Sequence, residues 1–349
     1  MPHRQRTASA LSAWLVSLTL TATLVAAGAN AQTNLVVSAW SPPTHAFVTE
    51  ITQPWMRQVE QASGGRLKLN LLPKAVASPP GTFDAIRDGL ADISYTVHGY
   101  TAGRFVLTKV AEFSLLGDSA EAVSVAYQRV YERHLARADE HKGVKVLAVF
   151  AHGPGHVLTA RKPINTLDDL RGMKLRVAGG FVLDLSNQIG VTAVVKPGPE
   201  TYELLSQGVV DGTFLPLEAL ASFRLEKVIR NVTMVPGGMY NTSFVMMMNE
   251  ARFNALSRQD QDAIMSVSGE RLARHAGRVL DEKDRTMQPV ISANNTAVIH
   301  ASPAFVAALA AKSRMVEEAW GKEAQARGVD GLKALAELRE EARRPAVPR

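Results

Sequence analysis

The sequence contains no cysteine among its 349 residues, and this absence excludes several kinds of site. Disulfide bonds, thiolate metal ligands, cysteine nucleophiles and attachment of lipid through a cysteine are all impossible. Long apolar runs are also absent after about residue 30, so we expect no later segment to cross a membrane as a helix. The stability of the fold must therefore come from a packed core rather than from covalent cross-links.

Motifs of common enzymes are absent as well. The sequence has no Gly-x-Ser-x-Gly elbow, no Walker-type loop and no dinucleotide fingerprint where a strand meets a helix. His152 and His156 are four residues apart, but the intervening Gly-Pro-Gly prevents the helix that would align them as metal ligands. Asp168 and Asp169 lie at a helix start, where acids are ordinary. We therefore predict that the protein is not an enzyme and that it binds no metal or cofactor. The alternative is a secreted enzyme that works without a cofactor.

The charged residues are interspersed and give a formal net charge of +6. No basic block with interleaved aromatic residues occurs, so the sequence does not predict a nucleic-acid partner. A mild positive balance raises the local concentration of anionic solutes without identifying one.

The first residues have the pattern of a secretory signal peptide. A basic start with Arg4 and Arg6 precedes an apolar stretch, and the small residues Ala29-Asn30-Ala31 suit cleavage. We therefore expect a leader over 1–31, a mature start at Gln32 and a periplasmic location. A membrane anchor is the alternative, but serine and threonine dilute the run and its length is marginal. Cleavage would remove both arginines and no acid, lowering the net charge from +6 to +4.

Strands and helices alternate along the rest of the chain, which indicates an α/β protein. A first series begins with a strand at about 35–39, includes a helix expected over 45–62 and a long helical region at about 119–142, and ends with an apolar strand at 144–150. A second series follows the loop at 152–156, includes a strand over 174–177 and a helix over 181–188, and reaches a short strand at 212–215. The very apolar segment 243–249, SFVMMMN, returns as a strand.

This organisation predicts two α/β lobes with a hinge cleft between them. Each lobe should contain a mixed, mostly parallel sheet flanked by helices, and the helix that begins after Ser302 should belong to a helical C-terminal cover. We expect the first lobe to comprise 32–155 plus about 241–285. The second lobe should comprise 156–240 plus about 286–349 with the C-terminal helices.

One arginine interrupts an apolar strand and is the main candidate for ligand contact. In Met173–Ala178, apolar residues alternate with Lys174 and Arg176. Arg176 lies near the carboxyl end of the strand, before Gly179-Gly180, where α/β proteins place ligands. A guanidinium group suits bidentate contact with a carboxylate, which favours a small organic acid. An internal acidic partner or a surface position explains the arginine equally well at this point.

Other candidates lie where predicted strands end and would face the cleft. Tyrosine and tryptophan offer an apolar face with one polar group, which suits a ligand that is partly organic and partly charged. The candidates of this kind are Trp40, His45, His98, Tyr100, Phe181, Tyr240 and Asn241. Glu218 is an acid close to the same region and could orient Arg176 when no ligand is bound. Ordinary core packing is the alternative for each.

Several segments form a colinear pattern: ASGGRLKLNLLP, IRDGLADISY, GVKVLAVFAHGPGH, RKPINTLDDLRGMKLRV, YELLSQGVVDG and SFVMMMNEARFNALSRQDQDAI. This pattern resembles the DctP-type solute-binding proteins of TRAP (tripartite ATP-independent periplasmic) transporters over nearly the whole mature chain. The resemblance implies a two-lobed, type II-like periplasmic binding protein that delivers a small organic acid to a permease of small and large membrane subunits. It also implies that Arg176, in the K-[LI]-R-V strand, binds the ligand carboxylate. A receptor serving a sensor or a different transporter is the alternative.

The chain departs from that family pattern at two places in the expected pocket. A second arginine of many members aligns with Gly155, which favours a monocarboxylate over a dicarboxylate or a sialic-acid-like ligand. His156 lies beside this position and could supply a hydrogen bond, although a lone histidine is more often structural. The family's Q-E-N-P segment aligns with residues 213–216, so Phe214 or Leu215 would make the cleft more apolar and suit an aromatic or cyclic acid, with ordinary core packing as an even alternative.

Overall fold

The computed structural model describes residues Gln32–Arg344. The leader expected over 1–31 lies outside the described residues. Within the described range, no helix combines the length and the apolar character that crossing a bilayer requires.

The first sheet has the strand order β2-β1-β3-β10-β4 and is the framework of what we call the first lobe. Its strands are β1 (Thr33–Val37), β2 (Leu67–Leu71), β3 (Ile93–Val97), β4 (Val144–Ala151) and β10 (Ser243–Asn249). β1 pairs in parallel with β2 and β3, whereas β10 runs antiparallel to β3 and β4. β10 occupies an inner position and is buried over nearly its whole length, which explains why its sequence is continuously apolar.

The second sheet has the order β11-β9-β5-β8-β6-β7 and is the framework of the second lobe. Its strands are β5 (His156–Thr159), β6 (Lys174–Val177), β7 (Thr192–Val195), β8 (Gly212–Leu215), β9 (Asn231–Met234) and β11 (Ala297–His300). β6 pairs in parallel with β7 and β8, whereas β5 runs antiparallel to β8 and β9. Two mixed sheets are therefore confirmed, and the chain crosses between them after β4, before β10 and again between β10 and β11.

Helices flank both sheets. They are α1 (Gln53–Ala62), α2 (Thr82–Arg87), α3 (Ala120–Val130), α4 (Phe181–Gln188), α5 (Thr201–Ser206), α6 (Ala219–Ser222), α7 (Glu250–Asn254), α8 (Arg258–Ser266), α9 (Glu270–Arg285), α10 (Met287–Ala293), α11 (Pro303–Ala326) and α12 (Gly331–Arg343). α11 packs against α4 of the second lobe, and α12 packs against α3 of the first lobe. The C-terminal helices therefore contact both lobes. The expected cap of α11 is present, because Ser302 Oγ accepts from the backbone N–H of Phe305 at 3.2 Å.

Two of the expected helices are interrupted. The helix expected after residue 45 begins as a π-helical turn, Phe47–Thr52, and continues as α1, which has Pro54 in its first turn. Proline lacks the N–H that would close the preceding α-helical turn, which accounts for the wider turn. The helix expected up to residue 142 is α-helical only as far as Val130 and ends at Asp139, whose φ is 56°.

Candidate ligand-binding site

A cavity lies between the lobes, beside the carboxyl ends of β3 and β6. It contains about 420 Å³ of unfilled space, part of which is open to solvent. Its lining is Trp40, His45, Phe47, Val97, Tyr100, His152, Arg176, Ala178, Gly198, Leu215, Pro216, Glu218, Phe223, Tyr240, Thr242 and Phe244. Most of these side chains are apolar or aromatic, so the few polar groups determine which ligand can enter.

Arg176 is the cationic side chain of this lining, and it is 1% exposed. Its Nε donates to the carbonyl of Lys196 at 2.7 Å, which fixes the guanidinium plane, but its buried Nη1 has no partner. Among residues 32–344, no carboxylate lies within ion-pair distance of this guanidinium. Neither alternative considered for Arg176, an internal ion pair or a surface position, is what the structure shows. A carboxylate entering the cavity would satisfy the unpaired group.

The first lobe contributes an aromatic wall. The Trp40 ring lies 5.6 Å from the rings of both Tyr95 and Tyr100, and the second of these contacts is edge-on. Trp40 Nε1 donates to the Tyr95 carbonyl at 2.9 Å, so the indole is held in place by a hydrogen bond as well as by packing. Rigid aromatic faces of this kind bury organic ligand surface at little entropic cost.

The two lobes touch directly across the cavity. The hydroxyl of Tyr100 accepts a hydrogen bond from the backbone N–H of Gly198 at 2.8 Å. Nearby, Gly179 lies so close to Gly99 that a Cβ on Gly179 would be 2.4 Å from the Gly99 carbonyl oxygen. The backbones can approach this closely only because side chains are lacking, and the cleft is closed in this arrangement.

A buried carboxylate positions the turn that follows β6. Glu112 accepts from the N–H of Phe181, the first residue of α4, at 2.8 Å and from Ser243 Oγ at 2.5 Å. A Cβ on Gly180, whose φ is 65°, would lie 2.3 Å from this carboxylate. Burial raises the pKa of Glu112 to about 6. The same acid therefore connects the start of α4 in the second lobe with the start of β10 in the first.

The sequence was also compared with models of known protein families. Residues 37–323 match the sequence model of the family described as bacterial extracellular solute-binding protein, family 7, or DctP. The chain belongs to this family.

Three solved solute-binding proteins of TRAP systems are similar to this protein. A periplasmic protein from Bordetella bronchiseptica with bound (R)- and (S)-mandelate is 43% identical, with a TM-score of 0.86. A marine metagenome protein specific for aromatic acids, in complex with 3-hydroxybenzoate, is 31% identical, and a Rhodoferax ferrireducens protein with copurified benzoate is 29% identical, both with a TM-score of 0.83. Each comparison covers 89% of this chain and 98% of the other.

Gly155, which we expected to match a second arginine of the family, has no room for a side chain in this structure. A Cβ on Gly155 would lie 2.3 Å from Cε1 of Tyr240. The Tyr240 ring thus occupies the space into which a residue at 155 would project. Its hydroxyl donates to the carbonyl of Phe214 at 2.8 Å, which holds the ring there. An aromatic side chain and a glycine replace the expected cation.

Glu218 lines the cavity but does not pair with Arg176. Its carboxylate accepts from Ser222 Oγ at 2.6 Å, and the residue is 5% exposed. Burial and the nearby Glu218 raise the pKa of Asp284 to about 8, and Asp284 accepts from the backbone N–H of Glu218 at 2.7 Å. The expectation that Glu218 orients Arg176 is not what the structure shows.

The structure brings six of the expected residues to the cavity and leaves the others outside it. Those that line it are Trp40, His45, Tyr100, Arg176, Leu215 and Tyr240, and those outside are His98, His156, Phe181, Phe214 and Asn241. The ring of His45 packs 5.3 Å from Phe223, and burial lowers its pKa.

The residues outside the cavity have partners in the core. His98 turns inward, where Ser243 Oγ and His141 Nε2 bind its two ring nitrogens at 3.0 and 2.9 Å. His156 Nδ1 accepts from the N–H of Val235 at 3.2 Å. Phe181 packs edge-on against Phe113 at 4.9 Å. These contacts satisfy the side chains without a ligand.

Phe214 and Asn241 lie beside the cavity without lining it. Phe214 precedes Leu215 in β8, and because successive side chains of a strand point to opposite faces, only Leu215 is directed at the cavity. Asn241 is buried, and when its amide group is assigned with the nitrogen toward the carbonyls of Tyr240 and Gly153, it donates to them at 2.9 and 3.1 Å. Asn241 therefore supports the loop after β4 rather than a ligand.

His152 is among the lining residues that sequence reasoning missed. It is the first residue after β4, and it lies in the cavity with its ring edge-on to Tyr240 at 5.3 Å. Its spacing from His156 suggested only a possible metal ligand. Its position at a strand end, the criterion that selected the other candidates, would have found it.

Proposed function

We propose that this protein is a periplasmic receptor that captures an aromatic monocarboxylate between its lobes and delivers it to a TRAP-type permease. The observation that carries the proposal is Arg176, a buried guanidinium with an unpaired Nη1 that faces an aromatic cavity. Such a group requires an anionic partner, and the walls around it favour a flat apolar body.

The relatives support the same ligand class. Mandelate, 3-hydroxybenzoate and benzoate, which their structures contain, each combine one carboxylate with one six-membered aromatic ring. The cavity offers one cationic side chain for the carboxylate and aromatic walls for the ring. A ring next to Trp40 and Tyr100 would remove apolar surface from water on both sides.

Binding would proceed by closure of a hinge. We infer that the ligand enters an open cleft and pairs with Arg176 on the second lobe, 156–240 plus about 286–349. The first lobe, 32–155 plus about 241–285, then brings Trp40 and Tyr100 over it. The hydrogen bond between Tyr100 and Gly198 forms only when the lobes meet, so ligand binding and closure stabilise each other.

Export and delivery complete the proposal. The pattern of residues 1–31 supports removal of a leader before Gln32 and release into the periplasm. The closed form would then dock on the small and large membrane subunits of a permease. A strain that lacks this protein should lose high-affinity uptake of the ligand and regain it when the gene is returned.

Calorimetry and thermal unfolding test the ligand class. Benzoate, 3-hydroxybenzoate and mandelate should bind with one-to-one stoichiometry, raise the melting temperature and be recovered chemically unchanged, as expected for a receptor. Succinate, with two carboxylates and no ring, should bind at least about 100-fold more weakly. Tight binding of succinate with no effect of the aromatic acids would refute the proposal, and chemical conversion of a bound acid would favour an enzyme.

A further inference from the structure

A second buried polar atom without a partner belongs to a residue of the cavity lining. Among the described residues, two of the buried side-chain polar atoms without a hydrogen bond belong to residues that line this cavity. One is Arg176 Nη1, which the ligand carboxylate would satisfy. The other is Nε2 of His152, a residue that is 4% exposed. No role in carboxylate binding accounts for it.

The surroundings of His152 determine its tautomer. Its Nδ1 lies 2.5 Å from the carbonyl oxygen of Gly153, and since a carbonyl can only accept, Nδ1 carries the proton. Burial, with smaller contributions from the nearby His156 and Arg176, lowers the pKa of His152 to about 4, so the ring is neutral at neutral pH. In a neutral imidazole protonated at Nδ1, Nε2 holds a lone pair and is a hydrogen-bond acceptor.

We propose that Nε2 of His152 accepts a hydrogen bond from a hydroxyl group of the ligand, so that the cavity selects a hydroxylated aromatic monocarboxylate over the same acid without the hydroxyl. This inference rests on the proposed function and names the ligand class more closely. A ligand without a donor at this point would leave the acceptor buried and unsatisfied. Sites of that kind strongly reject an analogue that lacks the hydrogen-bonding group.

A hydroxyl fits this position better than an ammonium group. The field of Arg176 already disfavours positive charge at His152, and the same field acts on a cationic ligand group placed beside Nε2. A hydroxyl donates without adding charge. The expected ligand therefore carries one anionic group for Arg176 and one neutral donor for His152.

The test compares matched ligand pairs in calorimetry with wild type and three variants. For wild type, mandelate should bind at least about 10-fold tighter than phenylacetate, or 3-hydroxybenzoate at least about 10-fold tighter than benzoate, depending on where the hydroxyl meets Nε2. His152→Phe keeps a ring and removes the acceptor, so the ratio should fall below about 3-fold. His152→Gln offers an amide oxygen near the Nε2 position and should retain part of the preference. The control, His300→Phe at an exposed position, should leave it unchanged.

Each other outcome overturns the inference in a recognisable way. The inference is wrong if wild type binds both members of each pair equally, or if folded His152→Phe keeps the full preference for the hydroxylated acid. In either case, binding of benzoate and phenylacetate that depends on Arg176 would still support the proposed function. Should His152→Phe fail to fold, the comparison of wild type with His152→Gln decides in its place. Phenylglycine, which replaces the hydroxyl of mandelate by ammonium, should bind more weakly than mandelate, and the reverse order would refute the choice of donor. Absence of binding by every aromatic acid overturns the inference and the proposed function together.

Discussion

Replacement of Arg176 by methionine should affect folding and binding in opposite directions. In the closed structure the guanidinium is buried with Nη1 unpaired, which disfavours closure unless a ligand satisfies the group. Methionine has a similar length and no charge, and apolar replacements of buried charged groups are often neutral or stabilising. The free energy of unfolding of ligand-free Arg176→Met should therefore be unchanged or higher by up to about 2 kcal/mol.

The effect on ligand affinity should be large and unfavourable. In wild type the ligand carboxylate would receive charge-assisted hydrogen bonds from the guanidinium, whose plane is already fixed by the bond from Nε to Lys196. Removing one partner of a buried charge pair costs about 2–5 kcal/mol, because the other charge stays buried without compensation. The dissociation constant should rise between about 30-fold and several thousand-fold. Arg176→Lys keeps the charge but loses the fork geometry, so its affinity should be intermediate.

Calorimetry with benzoate and thermal unfolding without ligand together check the prediction. Arg171→Met is the matched control, since Arg171 precedes the same strand but its side chain is 72% exposed. This control should change neither affinity nor stability measurably. Unchanged affinity in Arg176→Met would refute the assignment. A much lower melting temperature with unchanged affinity would show that Arg176 supports the fold instead.

Two further substitutions test closure and electrostatics. Tyr100→Phe removes the hydroxyl that accepts a hydrogen bond from the opposite lobe, so it should weaken ligand binding about 5- to 10-fold in calorimetry. The control Tyr202→Phe, at an exposed position, should leave binding unchanged. Equal effects of the two substitutions would contradict the role of Tyr100 in closure. Asp284 has a pKa raised from 3.8 to about 8, so the stability it contributes is complete below about pH 4 and is lost as pH rises through about 8. From pH 5 to 9, the free energy of unfolding of wild type should therefore fall by about 4 kcal/mol relative to that of Asp284→Asn in chemical denaturation. The exposed control Asp168→Asn should show no such trend relative to wild type, and parallel pH curves for wild type and Asp284→Asn would refute the reasoning.

Local sequence patterns predicted much of the fold because most elements are strongly apolar or well capped. The strands 174–177, 212–215 and 243–249 and the helix 181–188 have the expected bounds. The short strand β11 was not expected. Its four residues, AVIH, lie at the edge of the second sheet, mostly exposed, and pair only with β9. So short a segment carries no period that separates a strand from a helix.

The candidate site was harder to predict than the fold, because loops at strand ends have no period that fixes the direction of a side chain. His98 and Tyr100 are two residues apart, yet only Tyr100 reaches the cavity, while His98 turns to two partners in the core. The loop after β4 shows the same difficulty, since His152 lies in the cavity and His156 does not. Arg176 was predictable because it stands inside a regular strand, where alternation assigns its face.

The charges of the lining determine how many carboxylates a ligand can carry. Within the described residues that line the cavity, Arg176 is the one cationic side chain, and Tyr240 fills the space beside Gly155. A second ligand carboxylate would therefore lie against aromatic rings or near Glu218, at a cost of at least about 2 kcal/mol for an unpaired buried charge. An aromatic ring in the same space would instead contribute about 2 kcal/mol through burial of apolar surface. The two effects together favour an aromatic monocarboxylate over a dicarboxylate of similar size by about 4 kcal/mol, or nearly 1000-fold in affinity.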